Sequence, residues 1–73
     1  IFFNVTEKIL FEKNSLTILG FKDISKISPK FIEVIMNNYI LEIFGDNLLC
    51  TYFSKNEISV EGIFMMVKRN EKI

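Results

Sequence analysis

Cys50 is the only thiol in the chain. A thiol becomes a nucleophile when a neighbouring base or cation draws off its proton. The chain has no histidine to serve as that base. Cys50 also lies inside the apolar run Leu48 to Phe53, where a buried thiol behaves as a small hydrophobe. A structural cysteine is expected. Ser15, Ser25, Ser28, Ser54 and Ser59 lack a histidine for the same reason. Serine–lysine chemistry would fall to Ser25-Lys26 or Ser54-Lys55, and adjacent side chains do not face each other in an extended chain.

Glu33 and Glu42 flank Asn37-Asn38 and would approach each other across a hairpin. Paired carboxylates can do acid–base work or hold a cation. The plainer reading is that both mark the solvent face of strands. Gly45-Asp46-Asn47 has the residue types of a cation loop without its twelve-residue ligand pattern, so it reads as a turn. Three isolated glycines cannot cradle a phosphate. No paired cysteines suggest a metal site. The expectation is a non-catalytic protein with no cofactor and no metal.

Nine basic residues balance nine acidic ones. Nucleic-acid binders usually carry a basic excess that tracks the phosphates. The one basic cluster here, Lys68, Arg69 and Lys72, is interrupted by Glu71 and reads as a solvated end. Aromatic side chains are available for base stacking at Phe31, Tyr39, Phe44, Tyr52, Phe53 and Phe64. They lack interleaved Lys or Arg, and Glu33 and Glu42 share their strands. No nucleic-acid partner is expected, although a small β-barrel nucleic-acid-binding module is kept as the alternative reading.

These side chains must be positioned by a small framework. The chain has 73 residues, which bounds it to one domain with a thin core. Its hydrophobic fraction is 49%, carried by twelve isoleucines and eight phenylalanines, with no alanine. That is strand composition, since β-branched and aromatic residues pack well on a pleated surface. A single cysteine fits a reducing, intracellular setting. No apolar run reaches the length of roughly eighteen residues that a transmembrane helix needs. Ile1 to Asn4 lacks an initiator Met, a basic segment and a cleavage site, so it reads as a trimmed start or a fragment and not as a signal peptide. Asn4-Val5-Thr6 matches the glycosylation pattern, which is common by chance.

The expected fold is all-β, a small antiparallel meander of six or seven short strands over one domain, 1–73, with a short β-roll as the alternative. Lys8 to Glu12 and Ser15 to Leu19 predict a hairpin around Lys13-Asn14. Phe21 to Ser28 suits a short strand or a single helical turn, and Pro29 holds Ser28 extended. Phe31 to Met36 and Tyr39 to Phe44 predict strands joined by Asn37-Asn38, where asparagine tolerates positive φ. Leu48 to Phe53, Ile58 to Glu61 and Ile63 to Val67 complete the series. Residues 69–73 are expected to be a frayed tail. Gly20, Gly45 and Gly62 each follow an apolar, variable, β-branched, variable pentad and are expected to serve turns, kinks or bulges.

Several of these strands are apolar on both faces. Ile32, Val34 and Met36 oppose Phe31 and Ile35, and Leu41 and Ile43 oppose Ile40 and Phe44. Ile63 to Val67 carries no charge. A sheet with one wet face should alternate more strictly. Either the sheet curls until both faces are partly covered, or another chain covers the second face. In the second case the core centres on Val34, Leu41, Ile43 and Val60, and the partner contacts are Ile35, Phe44, Ile63 and Met65.

The stretch 15–68 resembles the YabP/YqfC family of bacterial sporulation proteins. The family's early L-x-I-x-G strand is similar to Leu16-Thr17-Ile18-Leu19-Gly20, and its I-x-V strand to Ile32-Glu33-Val34. Its L-x-I-x-G-x-x-L-x-I segment resembles Leu41 to Cys50, with Cys50 where an aliphatic residue is usual. Its final I-x-V-x-G resembles Ile58-Ser59-Val60-Glu61-Gly62, followed by Phe64 and Val67. This chain departs from the pattern where Ile35, Phe44, Ile63, Met65 and Met66 replace more polar or smaller residues. The resemblance implies a mostly-β structural or adaptor protein of endospore formation, without assigned catalytic residues, in the mother-cell cytoplasm. It implies a protein partner or self-association. Some family members share gene neighbourhoods with a membrane-embedded sporulation protein, which is therefore one candidate partner.

Overall fold

The computed structural model describes residues 7–71. The Asn4-Val5-Thr6 motif, the first residues and the last two positions lie outside them. Six strands follow in order: β1 (Lys8–Glu12), β2 (Ser15–Leu19), β3 (Asp23–Ile27), β4 (Phe31–Ile35), β5 (Tyr39–Phe53) and β6 (Glu57–Glu71). They form one open, antiparallel sheet in the order β1-β2-β6-β5-β4-β3. β3 through β6 make the meander, and the β1–β2 hairpin is joined to it through β6.

The ambiguous stretch from Phe21 to Ser28 is a strand because β4 pairs with it. Asp23 stands opposite Ile35 and Ile27 opposite Ile32, with a bulge between Ile24 and Lys26. The Met36–Tyr39 hairpin closes with the Met36 N–H donating to the Tyr39 carbonyl at 2.9 Å. Neither Asn37 nor Asn38 needs the positive φ expected of it, and among non-glycine residues described only Asn47, at 52°, adopts one.

Three expectations are corrected. Gly45-Asp46-Asn47 does not turn the chain, and Gly62 does not end a strand; of the roles expected of these two glycines, the bulge is the one that forms. β5 and β6 run fifteen residues each straight through both glycines. Their pairing slips between Phe44 and Gly45 and again between Asp46 and Leu49, so the turn-like residues form a bulge inside a long strand pair. The tail is also shorter than expected. Arg69 pairs with Leu41, Asn70 with Ile40 and Glu71 with Tyr39, so strand order persists to the last described residue.

The link between β2 and β3 shows what the bulges accomplish. Only Gly20, Phe21 and Lys22 separate the two strands, yet β2 and β3 are four positions apart in the sheet. In a flat sheet that gap is about 19 Å, at roughly 4.8 Å per strand. The link spans at most about 14 Å when fully extended. The sheet must therefore fold over. β2 pairs with the first part of β6, Glu57 to Glu61, and β4 with the first part of β5, Ile40 to Phe44. The bulged region lets the two halves face each other.

The core lies between those halves. Leu16 and Ile18 of β2, Ile58 and Val60 of β6, Ile32 and Val34 of β4, and Leu41 and Ile43 of β5 belong to one buried cluster with Phe21, Met36, Tyr39 and Leu48. Eight of these side chains are fully buried, each contributing about 1.5–3 kcal/mol relative to exposure. Among the described residues no polar or charged side chain is buried. The curled alternative is thus realised on one face. Phe31, Ile35, Ile40 and Phe44 lie on the other face of β4 and β5, half-buried.

Candidate functional site

The three glycines differ in their work. Gly20 has φ 78° and Gly62 φ 146°, a region that disfavours residues with a side chain. Gly45 is required by space, because a Cβ there would lie 2.1 Å from the Ile63 carbonyl oxygen. A Cβ at Gly62 would meet the Asn47 carbonyl oxygen at 2.7 Å. Both bulge glycines therefore admit the partner backbone.

The residues with chemical potential do not converge. Cys50 is half-buried against the core, with its Sγ 3.4 Å from the Tyr52 carbonyl oxygen. Ser25 donates to Glu33, Ser28 bonds the Phe31 main chain, and the Ser59 hydroxyl lies 3.1 Å from that of Thr17. Glu33 and Glu42 do stand directly opposite each other across β4 and β5. They sit in a row, Lys26–Glu33–Glu42–Lys68, that runs across four strands, and the Asn70 amide donates to Glu42. Flanking cations offset the repulsion of directly opposed carboxylates. Among the described residues no group of three potential ligands could hold a metal, and no helix is long and apolar enough to cross a membrane.

The apolar surface is more organised. Every large apolar side chain that is exposed among the described residues lies on a strand stretch with a neighbour on one side only. Ile9, Leu10 and Phe11 are on the edge strand β1, and Ile27 is on the edge strand β3. Leu49, Tyr52 and Phe53 lie on β5 beyond its pairing with β4. Ile63, Met65, Met66 and Val67 lie on β6 beyond its pairing with β2.

The four expected contact residues divide accordingly. Met65 is 72% exposed and Ile63 56%. Phe44 and Ile35 are half-buried on the outer face of the β4–β5 ladder. The Phe44 ring centroid lies 4.8 Å from that of Phe31, and Phe44 stands opposite Met66. The sequence pattern missed Phe11, which projects from β1 onto Phe64 with ring centroids 5.1 Å apart. Period-two alternation within Lys8 to Glu12 marks its face, but only the folded pairing puts β6 beneath it.

One polar cluster borders this surface. The Arg69 guanidinium lies 4.1 Å over the Tyr39 ring and its Nε bonds Glu71 at 3.1 Å. Glu7 accepts from the Asn37 N–H at 3.0 Å. Burial, reinforced by the Glu7 carboxylate and opposed by Arg69, raises the Tyr39 hydroxyl above its ordinary value of 10.0.

The architecture defines an all-β domain, an open meander-like sheet of six antiparallel strands folded over one apolar core. The sequence matches no protein-family model, and neither a curated protein nor a solved structure is significantly similar to it.

Proposed function

We propose that this chain is a non-catalytic structural or adaptor protein that acts through protein–protein contacts. The observation that carries the reading is the gathering of exposed apolar side chains on one-sided strand stretches. Scattered exposed hydrophobics are ordinary, but grouped ones beside unpaired backbone suit partner strands. The resemblance to the YabP/YqfC family directs the reading to endospore formation in the mother-cell cytoplasm, with a membrane-embedded sporulation protein or a second copy as candidate partners.

The test is genetic and biochemical. Expression is followed through growth and sporulation, and a deletion strain is scored for heat-resistant spores. Induction during sporulation with a loss of resistant spores is the expected result. Constitutive expression with normal spores in the deletion strain refutes the sporulation role. Salt-sensitive retention on single-stranded DNA would favour the nucleic-acid alternative instead.

A further inference from the structure

We infer that β1 is a detachable strand. It swings away from β2 about Lys13-Asn14 while the other five strands stay folded, so the chain alternately covers and bares the β2 edge. The inference goes beyond the protein-contact reading and does not depend on it.

β1 has no stake in the core. All five of its residues are exposed, and none belongs to the buried cluster or packs directly against it. β3 is an edge strand too, but its Ile24 packs on the cluster. β2 is the only strand that pairs with β1. Outside that ladder, two ties hold this end of the chain among the described residues. The Phe11 ring meets Phe64 with centroids 5.1 Å apart, while Phe11 stays 55% exposed. The Asn37 N–H donates to Glu7, just ahead of β1, at 3.0 Å. That second bond is exposed, so water replaces it when the strand leaves. Elements with few buried contacts open at a smaller free energy than the whole fold.

β2 is held differently. Its Leu16 and Ile18 are fully buried, and its whole length pairs with β6. It is also pinned at both ends. The Asn14 carbonyl accepts from the Gly62 N–H at 3.1 Å, and the Gly20 N–H donates to the Asn56 carbonyl at 2.7 Å. The first pin stands at the β1–β2 turn, so an opening that begins at Lys8 stops there.

The two pins also fix which main-chain groups the opening frees. Asn14 and Gly20 both turn toward β6, and alternation carries Leu16 and Ile18 with them. Ser15, Thr17 and Leu19 therefore turn toward β1. Closed, the chain fills this edge with its own strand and guards it against others. Open, the three residues present unpaired N–H and C=O groups while β6 keeps its bonds to the other side of β2. Neighbouring amides on one strand thus report two different events.

Native-state hydrogen exchange of the full chain, read amide by amide by NMR, tests this. Corrected for intrinsic rates, the Thr17 and Leu19 amides should exchange at least about tenfold faster than those of Leu16 and Ile18. Their rates should also respond weakly to low denaturant, since the opening bares little surface. A lock supplies the second arm. Leu10 and Thr17 stand opposite each other, and such a pair holds its Cα atoms about 5.5 Å apart, within disulfide range. Leu10→Cys with Thr17→Cys, in a Cys50→Val background, should when oxidised slow the Leu19 amide to the rate of Ile18. Reduction should restore the fast rate. Equal protection of Leu19 and Ile18 in the wild type overturns the detachable strand. Fast exchange at all four β2 amides also overturns it, because the whole hairpin would then leave together. An oxidised lock that leaves Leu19 fast overturns it as well. If the double variant does not fold, the alternation of rates along wild-type β2 decides alone.

Discussion

The carbonyl oxygen of Ile63 occupies the space in which any side chain at Gly45 would begin, 2.1 Å from the ideal Cβ position. The obstruction is backbone, so no rotamer change relieves it. Gly45→Val should cost about 3 kcal/mol or more in chemical denaturation, by prising β5 from β6 at the bulge. Asp46→Ala, one residue on and half-exposed, should stay within about 1 kcal/mol. Equal midpoints for the two variants would refute a spatial role for Gly45.

Cys50 pairs with Val60 on the inner face and has room at its exposed side. Cys50→Val should hold the unfolding midpoint within about 1 kcal/mol of wild type. Thiol alkylation of the folded wild type should leave any partner binding intact. Loss of binding on alkylation or on Cys50→Val, in a stably folded chain, would show that the thiol itself acts.

Phe31 and Phe44 form an aromatic pair on the outer face, opposite Met66. Each single change to alanine should cost about 1–2 kcal/mol, and the double variant should cost less than their sum by about 0.5–1.5 kcal/mol. Phe44→Glu should weaken association as well as stability, whereas Met65→Glu should change stability by about 0.5 kcal/mol at most. Full additivity in the cycle would show that the rings do not support each other.

Tyr39 sets an alkaline limit. Its hydroxyl titrates above its ordinary value in the folded chain, so the fold holds that proton more tightly than the unfolded chain does. This contribution is complete below the unfolded value near 10.0 and is lost as pH rises through the folded value. Stability should therefore fall with pH above about 10, and Tyr39→Phe should flatten that fall. Parallel pH profiles for wild type and Tyr39→Phe would remove Tyr39 as the cause.

Much of the framework was legible in the chain. The bounds of β1 and β2 follow from composition and the Lys13-Asn14 turn, and Val34, Leu41, Ile43 and Val60 are buried as their alternation implies. Gly45-Asp46-Asn47 misleads because its residue types are those of a turn, and Asn47 does adopt positive φ. What makes it a bulge is distant. The Leu48 N–H bonds the Pro29 carbonyl at 2.8 Å and the Gly45 N–H bonds that of Lys30 at 3.1 Å. Lys68 to Glu71 misleads for a similar reason, since a polar run looks solvated until Tyr39 to Glu42 are set beside it. For the contact surface, two-sided apolarity is visible in Ile63 to Val67. Which edge stays open depends on where β2 stops pairing, and no local pattern encodes that.

The attachment of β2 to β6 has a consequence for how the chain acquires its shape. Thr17 and Ser59, whose hydroxyls meet, are 42 positions apart in sequence. The hairpins from β3 to β6 close short loops and can form early. β2 has no strand to add to until β6 is in place, so the β1–β2 hairpin must wait as an apolar ribbon. Contacts of such separation slow folding, because loop entropy is lost before the contact rewards it. The step that completes the core is thus the late arrival of the first hairpin, and a chain interrupted before β6 leaves Leu16 and Ile18 uncovered.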